Sequence, residues 1–253
     1  MRTPPQLTLP GLLALIAVAA VLMYFENRDG GSPAPSSPPS SSLPSRPARS
    51  AAARPDNDTG AFDYYSLVLS WSPTHCETPE GRDDEAQCAR RDGRRYAFIL
   101  HGLWPQYERG YPEDCPARTT WVPQPVIDGM LDVMPSKGLI IHEYRKHGTC
   151  SGLSPEAYYG MARRLYDGLK IPQRFRNPTA AQFVDPDEVI DAFVAANPRP
   201  KPDMISIVCG GPGSRFRDVR ICFSKAGEPR GGGANEDQDR LCRSSRMHVP
   251  PVR

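Results

Sequence analysis

The chain carries almost no net charge. Its 31 lysines and arginines stand against 29 aspartates and glutamates, for a formal +2 and an isoelectric point near 8.2. A domain built to cling to nucleic acid is usually far more basic, so charge-driven tight binding is not what this composition describes. An enzyme that holds a few phosphates and releases its product fits it. Among the seven cysteines no two are spaced Cys-x-x-Cys, which argues against a Cys/His metal cluster. There is no internal repeat. Histidine is scarce, at five residues, so any clustering of it carries information.

A long apolar run occurs only at the start. Residues 11–25 hold no charged or strongly polar side chain and follow a single early arginine, Arg2. That is long enough for a signal-peptide core and short for a spanning helix, which takes about 20 residues. Ala17-Val18-Ala19 offers a cleavage site, but the apolar Val21-Leu22-Met23-Tyr24-Phe25 beyond it would become a greasy new terminus. An uncleaved anchor over residues 1–25 is therefore favoured over a cleaved signal. Either one exports the remainder, to a periplasm or to the medium, tethered to the membrane where the anchor stays. Residues 26–60 turn to Pro, Ser, Ala and Arg, as in Pro38-Pro39-Ser40-Ser41-Ser42. Such a segment cannot bury enough apolar surface to offset its ordering entropy and reads as an extended linker. Residues 61–253 suffice for one domain with a sizeable core.

Within that domain Tyr65, Leu67, Leu69 and Trp71 alternate with Ser66, Val68 and Ser70, the period of a half-buried strand that Pro73 ends. A second strand over residues 96–100 delivers His101 at its end. Helices are expected over 125–134 through Val126, Met130 and Met134, from Ser154-Pro155-Glu156 with Tyr158, Met161 and Leu165 buried, and from Asp185-Pro186-Asp187-Glu188 ahead of Val189, Ile190, Phe193 and Val194. Residues 204–209 and the alternating Val219, Ile221 and Phe223 read as two more strands. Helices beside antiparallel strands make the domain α+β.

Cysteines in an exported chain point to disulfides. Spacing does not fix the pairing, since six cysteines alone allow 15 connectivities. The favoured set is Cys76 with Cys88, Cys115 with Cys150, and Cys209 with Cys222, leaving Cys242 single. The middle pair would tie the segment ending at Cys150 to the loop that follows His101 and Trp104.

That segment is His142-Glu143-Tyr144-Arg145-Lys146-His147-Gly148-Thr149-Cys150. Wound at about 100° per residue, His142, Lys146, Glu143 and His147 fall near 0°, 40°, 100° and 140°. Ile140, Tyr144 and Ile141 fall near 160°, 200° and 260°, the side that would dock on a core, and Gly148 ends the helix. Two imidazoles, an ammonium and a carboxylate on one face must couple their pKa values, which marks acid/base or anion chemistry. A solvated polar face with a Glu143–His147 pair is the plain alternative. His-Glu-x-x also opens a zinc-protease helix, but the second ligand would fall at residue 146, which is a lysine.

Phe98-Ile99-Leu100-His101-Gly102-Leu103-Trp104-Pro105 and the segment 142–150, with Trp71-Ser72-Pro73-Thr74-His75-Cys76 before them, resemble the active-site segments and opening strand of the ribonuclease T2 family. The likeness runs over residues 64–252. Tyr144 stands where many relatives carry Trp, at a core-facing position. The resemblance implies cleavage of single-stranded RNA by the ribose 2′-hydroxyl, through a 2′,3′-cyclic phosphate to a 3′-phosphate, with low base specificity and neither metal nor cofactor. It implies His147 as base and His101 as acid. Lys146 would be the electrostatic clamp, Glu143 a hydrogen-bonding partner of the phosphoryl group, and His142 a phosphate ligand. Trp104 is a candidate stacking surface for a base, with Tyr107 and Tyr111 weaker ones. Arg90-Arg91, Arg94-Arg95 and the Arg215, Arg217, Arg220 group could track the RNA backbone, but solvated turns are the favoured reading of each. RNA is the expected partner of a monomer. A silent RNA- or partner-binding module on the same fold is the alternative, and the presence of all three histidines, Glu143 and Lys146 argues against it.

Overall fold

The order of elements over the described residues, 57–253 of a computed structural model, is β1 (Tyr64–Trp71), α1 (Ser72–Cys76), α2 (Pro79–Arg82), β2 (Phe98–Gln106), α3 (Gln124–Asp128), α4 (Lys137–Lys146), α5 (Pro155–Asp167), β3 (Gln182–Val184), α6 (Pro186–Ala196), β4 (Ile205–Gly210), β5 (Arg215–Phe223), α7 (Gln238–Leu241) and β6 (Met247–Val249). The expected anchor, and the linker as far as residue 56, lie outside the described residues. Among the described residues no helix is long and apolar enough to cross a membrane.

The fold is α+β. β1 lies between β2 and β5, β4 pairs with the other edge of β5, and all these pairings are antiparallel. β3 and β6 form a short antiparallel pair joined to β5 by a single parallel bridge, Arg215 to His248. Tyr65, Leu67, Leu69 and Trp71 enter the core, where Trp71 meets Phe98 and Phe216 at ring-centroid distances of 4.9 and 5.7 Å. The alternation predicts a half-buried strand, yet β1 is buried on both faces. On its polar face Tyr64 and Ser66 meet the loop 231–236, and Ser70 meets His101 and Asp218. From that loop Gly233 donates to the Tyr64 hydroxyl, at 3.1 Å, and Glu236 accepts from it.

β2 does not stop before His101 but runs through it to Gln106. The register passes from Val68 opposite Gly102 to Leu69 opposite Leu100, so His101 is the unpaired residue of a β-bulge. A bulge re-aims a side chain that strict alternation would have fixed.

α5 and α6 start where their caps predict, with Ser154 accepting from Ala157 N–H and Asp185 from Asp187 N–H. Tyr158 Oη donates to Leu103 C=O at 2.7 Å and fastens α5 to β2. The helix expected over 125–134 is shorter. α3 ends at Asp128 and Gly129 caps it, after which Met130 and Met134 reach the core from turns. Glycine's backbone entropy makes it a poor residue with which to continue a helix.

Disulfides join Cys76 to Cys88 and Cys115 to Cys150. The third corrects the expectation: Cys209 is bonded to Cys242, and Cys222 is a free, buried thiol. Cys209 lies opposite Phe216 in the β4–β5 ladder. Cys222, six residues further along β5, is thus roughly 20 Å away at about 3.3 Å per residue. A disulfide tolerates no more than about 7 Å between Cα atoms. The chain beyond α7 returns Cys242 to the end of β4 instead.

Candidate active site

The charged helix α4 is capped by Ser136, whose hydroxyl accepts from Leu139 N–H, and it docks through Ile140 and Tyr144. Glu143 is 1% exposed. A helical carboxylate pushed into β2 needs partners. One oxygen accepts from Trp104 Nε1 at 2.7 Å, and the other lies 3.4 Å from His101 Nε2. Gly102 makes this approach possible, because a Cβ there would collide with the Glu143 carboxylate.

His101 is held from its other side as well. Its Nδ1 lies 3.2 Å from Ser70 Oγ, and that hydroxyl donates to Asp218 Oδ1 at 2.5 Å. With the Ser70 proton given to Asp218, its oxygen accepts from His101 Nδ1–H, leaving Nε2 toward Glu143 and the cleft. His147 closes α4 as its C-cap rather than riding on its face. Its ring stacks on Trp104 at 5.0 Å and 30°, it is 6% exposed, and its buried Nδ1 makes no hydrogen bond.

These surroundings drive the two imidazoles apart. Burial pulls His101 down, but the hydrogen bond and charge of Glu143, with Asp218 behind, outweigh it and leave the group above its ordinary value. Burial also works against the Glu143 carboxylate, and the His101 hydrogen bond and charge reverse that, holding it below the usual range. For His147 burial dominates, and the pull of the Glu143 charge does not make up for it, so its pKa falls to about 4.

Two chambers open at this point. The smaller, about 580 Å³, is lined among others by Gln106, Tyr111, His142, Lys146 and His147. The larger, about 800 Å³, is lined among others by Ser70, His75, Gln87, Leu139 and Arg217. His101, Trp104 and Arg220 line both. The structure thus brings His101, Trp104, Glu143 and His147 together. His142 is exposed on the rim of the smaller chamber, while the Lys146 ammonium there lies 2.8 Å from Glu113 and 4.0 Å from Asp114. Trp104 is engaged with Glu143, His147 and Arg220, so it organises the site more than it offers an open face. Tyr107 packs partly buried against the core and lines neither chamber, whereas Tyr111, 50% exposed, lines the smaller one.

Ser70 and Asp218 are site residues that the sequence reading missed, and Arg220 is one that it set aside. Arg220 is no solvated turn but a half-buried residue of β5. The alternation that assigns Val219, Ile221 and Phe223 to the core assigns Asp218 and Arg220 to the opposite face, and that was the available signal. Among the described residues His75, Asp84 and Cys88 stand close enough to hold a metal, but the Cys88 sulfur is committed to Cys76.

Residues 62–228 match the model of the Ribonuclease T2 family. The chain is 42% identical over 127 residues to a ribonuclease of Aeromonas hydrophila, covering 49% of this chain and 54% of that protein. It is 24% identical over 201 residues to ribonuclease I of Escherichia coli K12, covering 64% and 75%. The chain spans about half the length of the first curated relatives it matches. Two solved structures share the fold. RNase NT in complex with 5′-AMP superposes with a TM-score of 0.54 at 23% identity, covering 75% of this chain and 98% of that one. Trichomaglin, an S-like ribonuclease, gives 0.59 at 19%, covering 76% and 99%.

Proposed function

The chain belongs to the ribonuclease T2 family, and on that premise we propose that it is a metal-independent endoribonuclease of low base specificity that cleaves single-stranded RNA. The observation that carries this reading is the placing of two imidazoles about Trp104, His101 beside the Glu143 carboxylate and His147 buried with an unpartnered Nδ1, which drives the first up and the second down to about 4. Acid and base chemistry at one pH needs like groups pushed apart in this way.

His147, neutral, takes the 2′-hydroxyl proton as the 2′-oxygen bonds to phosphorus. His101, charged, gives its Nε2 proton to the 5′-oxygen as the P–O5′ bond breaks. The product is a 2′,3′-cyclic phosphate. In a slower second step the roles reverse: water attacks phosphorus, the P–O2′ bond opens, and a 3′-phosphate remains. Each proton transfer contributes about 10² to 10⁴-fold. Glu143 keeps His101 charged and positioned. Lys146 and His142, on the rim of the smaller chamber, serve the phosphoryl oxygens, and Trp104 and Tyr111 line the space for a base. Side chains supply every proton and every compensating charge, so the reaction calls for no metal. Three disulfides support an oxidising, extracytoplasmic setting. The protein acts there as a monomer, tethered by residues 1–25.

The test incubates the full chain with a short RNA and its DNA counterpart in EDTA and reads the products by mass spectrometry. A 2′,3′-cyclic phosphate from RNA alone, lost in His147→Ala, is the expected result. Intact RNA, with the protein shown folded and oxidised, would sink the proposal.

A further inference from the structure

The mechanism above gives the phosphoryl group one permanent cation, Lys146, and in the fold that ammonium already faces Glu113 and Asp114. The reacting phosphate must also sit near the Glu143 carboxylate, with Asp218 behind His101. Lys146 is therefore shared with Glu113 and Asp114 and does not meet the developing negative charge alone.

Arg220 is the side chain placed to supply a second cation. On β5 it stands in register with Val68 of β1 and Ser206 of β4, so its backbone is fixed from both sides. Its guanidinium carbon lies 5.1 Å from the centre of the Trp104 ring. Its Nε is buried and makes no hydrogen bond, and among the described residues Arg220 forms no ion pair. A buried donor without a partner costs free energy unless something else completes it. A neighbouring acid, Glu236, feels the Arg220 charge but forms no ion pair with it, and it accepts from Tyr64.

Position then says what completes it. Among the described residues only His101, Trp104 and Arg220 line both chambers. A dinucleotide laid across the cleft places one nucleoside in each chamber and its phosphate at the wall they share. Guanidinium presents a planar fork of donors that matches two phosphate oxygens at once.

We propose that Arg220 binds the non-bridging oxygens of the scissile phosphate at the junction of the two chambers and stabilises the charge they gain in the transition state. This rests on the RNA-cleaving reading and adds to it a catalytic residue outside the two active-site segments. His101 and Arg220 then divide the work: one protonates the leaving oxygen while the other holds the oxygens that stay.

The test compares the wild-type full chain with Arg220→Met, which keeps an apolar stem without the charge, and Arg220→Lys, which keeps the charge without the fork. Cleavage of a dinucleoside phosphate should fall about 10² to 10³-fold in Arg220→Met, the size of one lost oxyanion donor, with Arg220→Lys between it and wild type. Calorimetry with uridine and with uridine 3′-phosphate measures what the phosphate adds to binding. That increment should shrink in Arg220→Met, to what Lys146 and His142 supply, while uridine affinity stays unchanged. An increment of undiminished size in Arg220→Met would overturn the proposal. So would an equal fall in affinity for both ligands, which would make Arg220 a prop for Trp104. Should the wild type leave RNA uncut, the nuclease reading fails by itself, and the phosphate increment still decides for or against Arg220.

Discussion

Glu143 stands between the indole of Trp104, 2.7 Å from one of its oxygens, and the imidazole of His101, 3.4 Å from the other. The pairing couples a buried anion to the group proposed as general acid. It turns a cost of burial into a means of keeping His101 protonated.

The pH dependence of kcat/KM should therefore be a broad bell. His147 must be neutral, so activity falls as pH drops through about 4. His101 must be charged, so activity is lost as pH rises through a value above 6.5, the group being held up by Glu143 and Asp218. Glu143→Gln removes the anion while keeping the shape, so the alkaline limb should move to lower pH and the acid limb should move less. Rates on a dinucleoside phosphate from pH 3 to 9 check this. A limb that stays in place in Glu143→Gln would remove Glu143 from the account.

Ser70 and Asp218 act on the same imidazole from behind. Ser70→Ala leaves Nδ1–H without its acceptor, and Asp218→Asn removes a charge that raises the His101 pKa. Both variants should lower kcat by about tenfold, less than the 10² to 10⁴-fold that a general acid contributes in full, because each removes a support of His101 and not the acid itself. Both should also move the alkaline limb downward with an unchanged melting temperature. A melting temperature that falls with kcat, at a fixed limb, would make the pair structural.

Much of this was legible locally. Residues 142–147 announce themselves because charge and apolar residues separate at helical period, and the caps at Ser154 and Asp185 mark helix starts within one turn. The parts that were not legible depend on pairing between distant strands. No local pattern shows that His101 sits in a bulge, because a bulge exists only relative to the partner strand. The contact of Ser70 with Asp218 spans 148 positions and follows from the β1–β5 register. Cys242 found Cys209 for the same reason: the ladder, not the spacing, decides which sulfurs meet.

That correction predicts a stability difference between two cysteines. Cys242→Ser opens a disulfide of sequence separation 33 and should cost about 3 to 4 kcal/mol in the chain-entropy model. Cys222→Ala removes a buried thiol that closes no loop and should cost about 1 kcal/mol, an ordinary value for a point change. Urea unfolding of both variants gives the comparison. Alkylation of the unfolded, unreduced wild type should label Cys222 alone, and a label on Cys242 would restore the rejected pairing.

Gly102→Ala tests how closely β2 and α4 must approach. Its new methyl would drive into the Glu143 carboxylate and crowd the Trp104 indole nitrogen, so the hydrogen bond that seats Glu143 could not form. Overpacking of this kind costs about 1 to 3 kcal/mol, which a disulfide-stapled domain should survive. The catalytic loss should be larger than the stability loss implies, because both Trp104 and His101 take their position from Glu143. A fall in kcat of about 10²-fold is expected, since small misplacements of reacting groups cost that much. The alkaline limb should move down as in Glu143→Gln. A folded Gly102→Ala with full activity would show that Glu143 reaches His101 without the space glycine leaves.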